Sequence, residues 1–113
     1  VLSGEVGTAP KGPFVIAGDA NLDPVDGAGI KAAINALLNA PNLQDVAPSG
    51  HSGTDTADWD DPVPGDLRAD YVLPSTHWRV TGSGVLWPSP DDPMAETVAT
   101  ASRHHLVWVD LAY

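Results

Sequence analysis

One stretch constrains this chain more than any other: Phe14-Val15-Ile16-Ala17-Gly18-Asp19-Ala20-Asn21. A short, continuous apolar run with two β-branched residues reads as a buried strand rather than an amphipathic helix. Gly18 ends the run, and a carboxylate and a carboxamide follow two positions apart. Such a strand presents Asp19 and Asn21 on the loop beyond its carboxyl end, where α/β folds usually hold ligands. What the fold does then depends on which partners the rest of the chain supplies for those two side chains.

Asp19-x-Asn21-x-Asp23 invites comparison with a calcium loop, but the comparison fails where such a loop is most demanding. The obligatory glycine position is Pro24, and the closing bidentate glutamate position is Ile30. The partners must therefore come from farther along the chain.

Residues 1–12 are small, polar and aperiodic, and read as a loop or tail; the domain is expected over 13–113. Asp23-Pro24 and Asp26-Gly27 carry turn chemistry. Ile30, Ala33, Ile34, Leu37 and Leu38 then recur at helical spacing, which predicts a helix over about 29–39, closed by Ala40-Pro41. Leu43 to Val46 reads as a brief strand or turn. The stretch 47–67 has no apolar period; a loop of roughly twenty residues inside a small domain is usually functional or disordered. Trp59 in its middle favours order, because a loop tryptophan needs something to pack on. Arg68 to Leu73 predicts a strand stopped by Pro74, with Ala69, Tyr71 and Leu73 on one face and Asp70 and Val72 on the other. Trp78 to Trp87 predicts two short strands or one bulged strand, interrupted by Gly82 and Gly84. Asp92-Pro93 opens a short helix to about Thr100, and His105 to Leu111 closes as a strand. This order predicts an α/β (α+β) fold: a mixed β-sheet with a helix on one face.

The 113 residues allow one domain with a modest core. Fifteen acidic residues against five basic ones give a net charge of −10, and Lys11, Lys31, Arg68, Arg79 and Arg103 are scattered. Such a surface disfavours nucleic acid, whose binding depends on cations neutralising phosphates. The absence of cysteine excludes disulfides and thiolate metal sites. No apolar run is long enough for a membrane span.

Three groups qualify as partners for Asp19 and Asn21: Asp70 on a strand, the acidic loop Asp55-x-x-Asp58-Trp59, and Ser102-Arg103-His104-His105 before the last strand. Together they offer hard oxygen ligands, proton-handling groups and phosphate-binding donors, which metal-assisted phosphoester hydrolysis requires. Gly18-Asp19-Ala20-Asn21, Ala69-Asp70-Tyr71-Val72-Leu73 and Ser102-Arg103-His104-His105 resemble, in order, the three C-terminal motifs of the endonuclease/exonuclease/phosphatase superfamily. The resemblance spans residues 13–111.

It implies half of the two-sheet α/β sandwich of deoxyribonuclease I and a metal-dependent phosphoester hydrolase using Mg2+, or Mn2+ or Ca2+. It further implies that Asp19 activates water or binds phosphate, that Asn21 orients the phosphate, and that His104 stabilises or protonates the phosphoryl group. Asp70 and Ser102 would support the site, and His105 would be structural, facing away from His104. Two departures stand out. Arg103 occupies the position where the family usually has Asp; it cannot bind a cation, but it can clamp a phosphate or pair with a carboxylate. Asp55 and Asp58 then become candidate replacement metal ligands, or simply a solvated acidic loop. Family members also run to well over twice this length, with a metal-binding Glu in the N-terminal half. The expectation is therefore a C-terminal half that is nearly inactive alone and that covers its sheet with the missing half or as a homodimer. The acidic balance favours a small or lipid-derived phosphoester as substrate. The rival expectation, carried by Arg103, is a degenerate domain acting as a binding module.

Overall fold

The computed structural model describes residues 7–59 and 62–113, so residues 1–6 of the expected tail lie outside it. The element order is β1 (Val15–Asp19), α1 (Lys31–Leu38), β2 (Asp70–Pro74), β3 (Arg79–Val85), α2 (Ala95–Ala101) and β4 (Val107–Ala112). The α+β class holds, and the strands form two antiparallel pairs, β1–β2 and β3–β4, rather than one mixed sheet. β2 and β4 are in contact, so the pairs lie side by side.

The core forms where α1 meets β2. Ile34, Tyr71 and Leu73 are buried together, with Leu22, Leu37, Leu38 and Leu43 packed around them. The predicted alternation of β2 is seen: Ala69, Tyr71 and Leu73 face inward, while Asp70 and Val72 are half-buried. α1 is slightly shorter than its apolar period suggested, and Ile30 remains exposed. The turn before α1 is held by Asp23, whose carboxylate accepts from the N–H groups of Val25 and Asp26 and, across the chain, of Arg68, all at 2.7 Å. Burial opposes ionisation of Asp23, but these donors and the charge of Lys31 outweigh it and hold its pKa below 3.8.

β3 is the single bulged strand, irregular between Val80 and Gly82. Gly84 lies under Trp108, and a Cβ there would come within 2.9 Å of the indole, so any larger residue would displace that ring. β1 departs most from expectation: all five of its residues are exposed, Val15 and Ile16 at 40% each. Only β2 pairs with it among the described residues, so its apolar side chains have little to pack on. The radius of gyration, 15.6 Å, exceeds the roughly 13 Å of a closed domain of this length. The fold is flat and open on the β1 side.

The 47–67 stretch acts as the seam between the two strand pairs. Ala57 forms bridges to both Leu67 and His104. The Thr56 carbonyl accepts from His105 N (2.7 Å), and Asp58 N donates to Arg103 O (2.9 Å). Asp60 and Asp61 in this loop lie outside the described residues.

Candidate active site

The antiparallel register of β1 and β2 sets Asp19 directly opposite Asp70. The seam brings His104 to the same place: its Nδ1 lies 2.9 Å from Asp70 Oδ2. Ligand atoms of Asp19, Asp70 and His104 all lie within 4.8 Å of one another. Two ligands on opposite sides of one Mg2+ would stand about 4.2 Å apart, and of one Ca2+ about 5 Å, so two carboxylates and an imidazole at this spacing fit a divalent cation.

Local chemistry fixes each member. Asp19 Oδ1 accepts from Asn21 N at 2.8 Å, which closes a tight turn after β1. Asn21 sits at φ 48°, a left-handed conformation that asparagine tolerates better than most residues. Asp70 Oδ2 accepts from Thr56 Oγ1 at 2.7 Å as well as from His104. A carboxylate only accepts, so Nδ1 of His104 carries the proton and Nε2 is left to serve the site. Ser102 Oγ accepts from His104 N at 3.0 Å and shapes the turn that delivers the imidazole. His105 faces the other way as expected: it is buried, stacked on Trp87 at 3.9 Å, with Nδ1 at 3.1 Å from Leu86 O.

The other candidates lie around this centre. Arg103 is exposed, with its guanidinium over the Trp59 ring at 5.5 Å. Asp55 and Asp58 are not in the converging set. Burial, followed by the charges of Asp23, Asp66 and Asp26, pushes the Asp55 carboxyl up. Asp58 is exposed and lines a different hollow of about 330 Å³ beside α2, together with His51, Trp87 and Glu96. A cleft of about 280 Å³ opens at the carboxylates, walled by Asp19, Asp70, Val72, His105, Leu106 and Val107; His104 reaches Asp70 from beside it rather than from its wall.

Thr56 escaped the sequence reading. It is buried, and its hydroxyl also accepts from the N–H groups of Ala69 and Asp70, both at 3.0 Å. One hydroxyl thus holds both the backbone and the carboxylate of Asp70. A threonine in an aperiodic acidic loop carries no sequence signal for such a role.

No curated protein and no solved structure matches the chain. The family model described as "Endonuclease/Exonuclease/phosphatase family" matches residues 1–104. That family comprises nuclease- and phosphatase-type hydrolases of phosphoester bonds, typically dependent on divalent metal. The chain, in which ligand atoms of Asp19, Asp70 and His104 lie within 4.8 Å of one another, belongs to the endonuclease/exonuclease/phosphatase family.

Proposed function

We propose that this chain carries the C-terminal part of the active site of a divalent-metal-dependent phosphoesterase. The convergence of Asp19, Asp70 and His104 from three separated segments carries this reading. Asp19 with Asp70 or His104 would hold a divalent ion (Mg2+, or Mn2+ or Ca2+), which would supply Lewis-acid stabilisation of charge on the phosphoryl oxygens. Asp19 accepts a proton from the attacking water or steadies the phosphate. Asn21 orients the phosphate, and Asp70 holds His104 through its Nδ1–H, so that a proton carried on Nε2 passes to the leaving oxygen as the P–O bond breaks and water adds in line from the opposite side. Arg103 binds phosphoryl oxygens from the rim, and Ser102 keeps His104 in place.

The charge of −10 supports a small or lipid-derived phosphoester over nucleic acid. The exposure of Val15, Ile16, Leu106 and Trp108 supports the further reading that a second half of the domain, or a second copy, covers apolar surface of this chain. Hydrolysis of bis(p-nitrophenyl) phosphate by the full-length protein tests the function. Activity should vanish with EDTA and return with Mg2+, Mn2+ or Ca2+. Turnover indifferent to chelation would contradict it, and no turnover with any ion would favour the binding-module alternative.

A further inference from the structure

We propose that Trp59 is a positioning residue that locks Arg103 and His104 to one another. This deepens the phosphoesterase reading and rests on it. The His104 imidazole meets the Trp59 indole edge-to-face, with ring centroids 5.5 Å apart and planes at 88°. The Arg103 guanidinium lies 5.5 Å from the centroid of the same indole. One rigid ring therefore touches both the imidazole of the site and the cation beside it in sequence.

The backbone makes this arrangement reproducible. Ala57 bridges His104, Asp58 N donates to Arg103 O at 2.9 Å, and His105 N donates to Thr56 O at 2.7 Å. The 56–59 segment therefore runs in fixed register beside 103–105, and the position of Trp59 is set from both sides. Trp59 is itself only half-buried, so its indole stands at the edge of the site rather than in the core. Asp70 constrains His104 through Nδ1 alone, which leaves the imidazole free to pivot about that bond. The edge-to-face contact removes this freedom. An arginine on a surface turn carries large rotamer entropy, and the indole face limits it. A phosphoryl group gripped by Arg103 then arrives at a set distance from His104. Misplacement by even about 1 Å is costly to in-line chemistry.

The test uses the full-length protein with saturating Mg2+ and bis(p-nitrophenyl) phosphate. Trp59→Ala should lower kcat about three- to tenfold, the range of one lost aromatic contact, and move KM by less than about threefold. Trp59→Phe, which keeps a ring face and edge, should recover most of kcat. Arg103→Ala combined with Trp59→Ala should cost less than the product of the two single losses. In the unaltered protein, NOEs should link the His104 ring protons to the indole. Wild-type kcat in Trp59→Ala, multiplicative losses in the double variant, or absent NOEs would each overturn the proposal. Asp19→Ala serves as the control. If it retains full activity, the phosphoesterase reading falls and this proposal with it; if it is inactive while Trp59→Ala is unimpaired, only the positioning role of Trp59 fails.

Discussion

Asp19 and Asp70 stand directly opposite one another in the β1–β2 ladder. Like charges in that relationship destabilise a sheet, which makes the pair expensive to keep for structural reasons alone. A bound cation would turn the repulsion into attraction. Asp19→Asn should therefore raise thermal stability, by about 0.2–1 kcal/mol, while removing activity. Mg2+ should raise the melting temperature of the wild type and leave that of Asp19→Asn nearly unchanged. Melting curves with and without Mg2+ check both outcomes.

Thr56 is the hidden support of Asp70. Thr56→Val keeps the shape but leaves the N–H groups of Ala69 and Asp70 without their acceptor and Asp70 Oδ2 with one donor fewer. A loss of about 2 kcal/mol in stability is expected. Denaturant unfolding measures it, and a matching fall of about tenfold in kcat would show that the orientation of Asp70 matters to turnover. Thr56→Ser should restore both.

Arg68 is buried and held by a bidentate pair with Asp45, at 2.6 and 2.8 Å, with its guanidinium 4.6 Å from the Tyr71 ring centroid. Asp45→Ala strands that charge and should destabilise the fold by about 3 kcal/mol. The Arg68 hydrogen bonds hold the Asp45 carboxyl below 3.8 despite partial burial, and the Ala47 N–H helps. An acid whose folded-state pKa is depressed contributes stability that is present above its unfolded value and lost as pH falls through the folded one. The same sign applies to Asp23. Unfolding free energy should thus decline below about pH 4, and Asp45→Asn should flatten that decline.

Asp55 has the opposite sign. Burial and its acidic neighbours raise its pKa, so its charge penalises the fold at neutral pH and the penalty is relieved as pH falls through the raised value. Asp55→Asn should stabilise the protein slightly at pH 7, and the advantage should shrink as the solution approaches pH 4. Thermal melts across that range decide the matter. A destabilised Asp55→Asn at pH 7 would mean that the carboxylate has a partner worth more than its repulsion.

β2 and α1 were legible because their periods report burial directly: Tyr71 and Leu73 alternate inward, and Ile34 lies on the apolar stripe of its helix, whereas the apolar run of β1 marked a strand but not its exposure. The separation into two strand pairs was not legible. The two pairs are joined through Ala57, a small residue in an aperiodic loop that bridges both Leu67 and His104. Asp19 and His104 could be found as chemical types placed near strand ends. Their meeting at Asp70 could not, because it follows from the β1–β2 register and from the seam. Thr56 was illegible for the same reason, and Trp59 was legible only as a sign of order in its loop: the contacts both make are long-range ones that the loop's sequence does not announce.

The central claim is that Asp19, Asp70 and His104 form one hydrolytic centre. Steady-state hydrolysis of bis(p-nitrophenyl) phosphate by the full-length protein, beside Asp19→Ala and His104→Ala under saturating Mg2+, tests it most directly. The account predicts a loss of at least about a hundredfold in kcat for each variant, the scale of losing a proton-transfer or phosphoryl-stabilising group. Activity equal to wild type in both variants would contradict it.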